Sequence, residues 1–329
     1  MASPQTATSQ GEHAVLLEGC GLLDRSERGK LALTGAGAVE FLNGQITNEL
    51  SGLRPGEGCY AAFLTHKGKM LGDLRVLAAG DDGDAEPSEL LLDTERVALQ
   101  GLFDMIRRFK VGYDVELHKR TLERALVSLI GPEAGAVAGV RDVLPDAEHA
   151  HVACEIGGVP VRAVRTDLGV DLLFDSASLA VVTAGLRSRG AVDVSEEAAE
   201  CVRIEHGRPR YGIELDDSVI PQEAGLNERA VSFTKGCYVG QETVARLYYR
   251  GKPNRHLRGL MLSEPVRGEA ELTLGDRAVG HLAGSVVSPT LGAIALALVR
   301  REAEPGAELI VGDGAVSARV VELPFSRSV

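Results

Sequence analysis

Cys59-Tyr-Ala-Ala-Phe-Leu64, His66-Lys-Gly-Lys69 and Leu71-Gly-Asp-Leu-Arg-Val-Leu77 together decide the fold class. Two apolar runs flank a short charged turn that contains a glycine, which is the pattern of an antiparallel hairpin. On the N-terminal side, residues 30–34 alternate as a short strand, and Gly35 leads into a helical stretch that reaches Leu42. On the C-terminal side, residues 81–88 read as an acidic loop and 90–92 as a strand. A helix follows over 94–108 with Val97, Leu99, Leu102, Ile106 and Phe109 as its buried face, and then a strand over 111–117. The order β-α-β-β-β-α-β predicts an α+β unit with an antiparallel sheet.

A second unit of similar order starts with the strand-like run 125–130, ended by Gly131-Pro132. A helix starts at 134, and two strands lie around the Gly157-Gly158 turn within 151–165. A strand over 168–174 and helices over 176–190 and 196–207 complete it. Beyond a Gly- and Pro-containing boundary, Arg250-Gly-Lys-Pro-Asn254, six short apolar runs follow at 257–262, 271–274, 284–288, 294–299, 309–311 and 315–321. Short strands at this spacing predict a small β-barrel or sandwich. The expected domains are therefore 12–120 and 121–249, both α+β, and a β-barrel over 250–329.

With 329 residues, 44% apolar and 25% charged, the chain has ordinary globular composition. Aromatics are only 4% and Trp is absent, so Ala, Val and Leu must fill the core. The net charge of −12 argues against general nucleic-acid binding, which needs many cations against phosphates. No run of 18 apolar residues occurs, so no membrane association is expected, and residues 1–10 read as a frayed tail rather than a signal peptide. A cytoplasmic location is the expectation. Cys20, Cys59, Cys154, Cys201 and Cys237 are dispersed without a CxxC pair. They read as reduced thiols, with neither a zinc site nor a self-contained iron–sulfur site.

Several segments carry possible chemistry. Gly35-Ala-Gly-Ala-Val-Glu40 is a partial GxGxxG with Glu40 in place of the third glycine, so it reads as a plain strand-to-helix turn. Asn43-Gly-Gln-Ile-Thr-Asn-Glu49 reads as a capped turn. Glu205, at the end of a helix between apolar neighbours, is either a solvated acid or a half-buried two-oxygen acceptor suited to a guanidine-like edge, such as that of a pterin. In Lys235-Gly-Cys-Tyr-Val-Gly-Gln-Glu242, Gly236 and Gly240 let the backbone approach a ligand, and a lysine near Cys237 favours a reactive thiolate. The alternative is a buried Cys in a turn before a helix. The run from Arg246 to Arg258, with Arg250, Lys252 and Arg255, is either a basic linker or an anion site flanked by Tyr248 and Tyr249.

On these residues the chain resembles the YgfZ/GcvT family of folate-binding proteins, related to the glycine-cleavage T-protein, over nearly its whole length. The segment 235–242 followed by Val244-Ala-Arg246 resembles the YgfZ branch. Ile220-Pro-Gln-Glu-Ala-Gly-Leu226, Arg203-Ile-Glu-His-Gly207, Phe41-Leu-Asn-Gly44 with Thr47-Asn48, and Leu129-Ile-Gly-Pro132 carry the rest. The resemblance implies two α+β units and a β-barrel arranged as a three-domain ring, with tetrahydrofolate or a one-carbon derivative as cofactor. It implies that Glu205 holds the pterin and that the first unit binds folate. Lys235, Gly236, Tyr238, Gly240, Gln241, Glu242, Arg246 and Arg250 would line the site, and Cys237 would be the reactive residue. The T-protein branch uses an Asp in the region matching 93–102, and residues 97–102 here contain no acid. The expected function is accordingly a folate-binding accessory role in assembly, insertion or repair of iron–sulfur clusters. Iron–sulfur client enzymes, among them tRNA-modifying ones, would be the partners, without direct nucleic-acid contact. Folate-dependent aminomethyl transfer is the alternative.

Overall fold

Leucine, alanine and valine make most of the buried core, as the composition requires, and Phe41, Phe63 and Phe174 are its largest fully buried side chains. A computed structural model describes residues 10–80 and 84–326. Most of the expected N-terminal tail, and residues 81–83 of the expected acidic loop, lie outside the described residues.

The chain opens with α1 (Gln10–Glu18) and β1 (Gly21–Asp24), which the apolar pattern did not announce. Then come β2 (Gly29–Thr34), α2 (Ala38–Asn43), β3 (Gly58–Leu64), β4 (Met70–Ala79), β5 (Glu89–Thr94), α3 (Leu99–Phe109) and β6 (Glu116–Lys119). Strands β3 and β4 are the expected hairpin, with Cys59 opposite Val76. Five strands form an antiparallel sheet in the order β3-β4-β5-β2-β6. The helix expected over 94–108 starts later, at Leu99, because β5 runs to Thr94 and its end is tied down. The Thr94 hydroxyl donates to the Asp73 carbonyl at 2.5 Å. Leu102 and Ile106 are buried as expected, but Val97 (64% exposed) and Phe109 (46%) are not. The strand expected from 111 begins only at Glu116.

The second group comprises β7 (Arg124–Ile130), α4 (Ala134–Ala138), β8 (His151–Ile156), β9 (Val159–Thr166), β10 (Gly169–Asp175), α5 (Leu179–Ser188), β11 (Val192–Asp193) and α6 (Glu196–Glu205). Its sheet has the order β11-β1-β7-β10-β9-β8. Strand β1 therefore leaves the expected first unit and pairs with β7, Leu22 opposite Leu129. The β1–β11 pair is parallel, so this sheet is mixed rather than wholly antiparallel. The two sheets meet through Leu77, Leu126, Val164 and Leu173.

Two further helices, α7 (Asn227–Ala230) and α8 (Gln241–Arg250), lead to β12 (Arg255–Leu262), β13 (Ala270–Leu274), β14 (Arg277–Leu282), β15 (Val286–Ser288), β16 (Gly292–Arg300), β17 (Glu308–Val311) and β18 (Val316–Val321). The order β12-β18-β17-β13-β14-β16 is closed by β12–β16 pairing into a six-stranded barrel, with β15 added on β16. Closure removes exposed sheet edges. Strand β14, Arg-Ala-Val-Gly-His-Leu, escapes a search for apolar runs because only Val279 and Leu282 face the core.

Candidate functional site

Strand periodicity places Asp73 and Arg75, two residues apart on β4, on one face of the first sheet. Asp93 on β5 lies directly opposite Arg75. The Arg75 Nε donates to Asp93 at 2.7 Å, and its Nη1 donates to Asp171 of β10 at 2.5 Å, so one guanidinium joins the two sheets. The Ser128 hydroxyl completes Asp171 at 2.6 Å. Arg28 donates to Asp93 from the other side at 2.9 Å and also pairs with Glu95. Burial alone would raise the Asp93 carboxyl, but Arg28 and Arg75 outweigh it and hold the group at about 2.

Asp73 lies in the opposite situation. Burial pushes its carboxyl up to about 6, against the hydrogen bond that it accepts from the Tyr60 hydroxyl at 2.7 Å. Beside it, the buried His149 has φ 69°, a left-handed conformation that a non-glycine residue adopts at a cost. Burial, and then Arg75, lower its imidazole to about 4, so the ring is neutral near pH 7. Neither of its ring nitrogens has a hydrogen-bond partner among the described residues. Its Nε2 lies 3.6 Å from the Glu148 carboxylate.

Tyr60, Asp73, Arg75, His149 and Asp171 line a cleft between the two sheets with about 990 Å3 of non-atom space, part of it open to solvent, and Asp93 lies behind that lining. Arg25, Arg28, Arg75, Arg203, Arg208, Arg210 and Arg229 line it, against Asp73, Glu95, Glu148, Asp167 and Asp171. The arginines are ion-paired, Arg25 and Arg210 with Glu196, Arg28 and Arg75 with Asp93, Arg203 with Glu200 and Glu214, and Arg208 with Asp167. The Arg229 guanidinium lies 5.3 Å over the Tyr60 ring, and its charge is paired with Glu148. The cleft thus combines an aromatic face, an acid that changes charge near neutrality, a neutral imidazole and ion-paired guanidiniums.

The residues expected from the sequence lie elsewhere. Lys235 is buried, and its ammonium donates to the carbonyls of Asn43, Ile46 and Asn48 at 2.7, 2.9 and 2.6 Å. It staples the turn after α2, and burial lowers it to about 8. Tyr238 is buried with its ring 5.3 Å from that ammonium, and Cys237 between them is exposed. Gly240, φ +85°, brings the backbone against the β3–β4 turn, where an added Cβ would meet the Thr65 carbonyl oxygen at 2.6 Å. Gly236 has open space around it, and Gln241 and Glu242 begin α8. Arg246 and Arg250 are exposed on that helix, while Arg255 pairs with Glu223 at 2.8 Å. Glu205 lies at the end of α6, where its carboxylate accepts hydrogen bonds from His13 at 2.9 Å and Ser288 at 2.5 Å. The cleft residues escaped sequence reading because they come from positions between 25 and 229 without a local motif.

Residues 2–235 match the family described as GCVT N-terminal domain, and residues 255–326 match the glycine cleavage T-protein C-terminal barrel domain. The chain belongs to the glycine cleavage T-protein family. It is 29% identical to an aminomethyltransferase of Rubrobacter xylanophilus, over 98% of this chain and 87% of that protein. It is 30% identical to an aminomethyltransferase of Streptomyces coelicolor, over 95% and 88%. The crystal structure of the glycine cleavage system aminomethyltransferase T from Bartonella henselae superposes with a TM-score of 0.84 at 22% identity, covering 98% of this chain and 92% of that one, and shares the fold. These full-length relatives overturn the expected iron–sulfur accessory role and its client partners, and they favour the alternative, aminomethyl transfer. Among the described residues, no helix is long and apolar enough to cross a membrane.

Proposed function

We propose that this chain binds tetrahydrofolate in the cleft between its two sheets and acts as an aminomethyltransferase. The observation that carries the reading is that one cleft holds both an acid at about 6, Asp73, and the neutral imidazole of His149, in a chain related to aminomethyltransferases over nearly its full length. The residues fit the cofactor. Asp73, Tyr60 and His149 would hold the pterin, which needs acceptors and donors on one edge and an aromatic neighbour. Arg25, now paired with Glu196 at 3.3 Å, and Arg208, now paired with Asp167 at 2.5 Å, would share their remaining donors with the glutamate carboxylates. Bound folate supplies the nitrogen that accepts the one-carbon unit. Asp73 takes and returns a proton at its carboxylate, since both of its forms exist near neutral pH. Tyr60 fixes the orientation of that carboxylate, and the Arg75 link keeps the two walls of the cleft in register.

The test is ammonia release from an aminomethylated carrier in the presence of tetrahydrofolate. The wild-type chain turns over, and Asp73→Asn lowers kcat by roughly 10²–10⁴. One observation favours a second reading: the first turn of α3 contains no acid. On that reading the chain, placed in the folate-binding branch that segment 235–242 resembles, carries folate without transferring from it. Folate binding without turnover selects the second reading, and absence of folate binding removes both.

A further inference from the structure

Outside the cleft, three side chains with metal-ligand chemistry converge where α1, α6 and the barrel meet. Cys201 and Glu205 are four residues apart on α6, so they share one face of that helix. His13 of α1 packs against that face. The His13 Nε2 lies 2.9 Å from the Glu205 Oε1 and the Cys201 Sγ 3.7 Å from it, and all three ligand atoms lie within 4.8 Å of one another. His13 and Cys201 are buried at 3% and 0% exposure, and the Glu205 side chain is exposed by only 10%. The Ser288 hydroxyl of β15 donates to the same Glu205 oxygen at 2.5 Å.

We propose that His13, Cys201 and Glu205 form a binding site for one zinc-class divalent cation. Imidazole, thiolate and carboxylate are the three zinc ligand types, and three of them leave a fourth tetrahedral position for water or the Ser288 hydroxyl. Metal–ligand bonds of about 2.0–2.3 Å at tetrahedral angles separate ligand atoms by roughly 3.3–3.8 Å. The present separations reach that geometry through small side-chain movements. Charge also favours the cation. Thiolate, carboxylate and a divalent cation sum to zero, and binding releases the thiol proton to solvent. The soft sulfur selects zinc over magnesium or calcium. Bound there, the metal would fasten α1 to α6 beside the barrel, independently of any folate in the cleft.

Cobalt(II) titration of the metal-free full chain, followed by absorption, tests this site. One equivalent is expected to produce a sulfur-to-cobalt charge-transfer band with intense tetrahedral ligand-field bands, and zinc is expected to displace it. Cys201→Ser should remove the charge-transfer band. Ser288→Ala, which removes a partner of a ligand, should weaken zinc binding by about 10–100-fold. Zinc should also protect wild-type Cys201 from alkylation in mild denaturant, a readout that needs no variant. Absence of the charge-transfer band in the wild-type chain, or its survival in Cys201→Ser, would overturn the proposal.

Discussion

The cleft and the segment from Phe233 to Arg250 make opposite use of charge. In the cleft, Arg75 and Arg28 enclose Asp93, Asp171 stands on the far side, and Asp73 is left with only a phenol for company. The result is one carboxyl at about 2 and another at about 6 within a single network. Groups whose surroundings drive their ionisation apart are arranged for acid–base work. In the segment, the buried cation Lys235 is spent on three backbone carbonyls, and the remaining charges face solvent on α8. Phe233 and Tyr248 stack there at 3.7 Å, and Cys237 is exposed. The comparison teaches that a dense, unusual run of residues can include a structural staple, while residues that look ordinary one at a time can gather into a cleft with unlike carboxyls.

The comparison breaks first at Arg75. Replacing it by Met leaves Asp93 and Asp171 as buried charges short of a partner, which should cost about 3–5 kcal/mol in urea unfolding. A loss below about 1 kcal/mol would mean that the network contributes little. On the other side, Lys235→Met strips three carbonyls of their donor and should cost roughly 3 kcal/mol, a structural effect visible without any ligand.

The pH dependence separates the two cleft acids by sign. Asp93 is depressed to about 2, so its stabilisation is present above the unfolded value near 3.8 and is lost as pH falls through about 2. Asp73 is raised to about 6, so its favourable contribution is present below 3.8 and is lost as pH rises through about 6. Asp73→Asn should therefore reduce the drop in stability between pH 4 and pH 7 by about 1–3 kcal/mol, measured by denaturant unfolding at each pH. An unchanged profile would place Asp73 in water rather than in the cleft wall. The smallest effect belongs to Cys237→Ala. An exposed thiol without a packing role should change stability by less than about 0.5 kcal/mol in the same measurement.

Those residues also show what a single sequence can reveal. The β3–β4 hairpin was legible because its apolar runs and its Gly68 turn are local signals. The barrel was legible as a set of short runs, but not strand by strand. Run 284–288 became the appended β15, and the barrel strand β14 hides behind Arg277, Gly280 and His281. The crossing of β1 into the second sheet could not be read, because pairing Leu22 with Leu129 is a long-range choice. The cleft could not be read for the same reason. Asp73, His149 and Asp171 come together only when two sheets meet, whereas Lys235–Glu242 advertises itself within eight adjacent positions.

Hydrogen exchange of the full chain with and without tetrahydrofolate tests the central claim most directly. Ligand in the cleft should slow exchange in β3, β4 and β10 and in residues 203–211, and should leave residues 235–250 unchanged. Protection confined to residues 235–250, or no protection at saturating folate, would contradict the account.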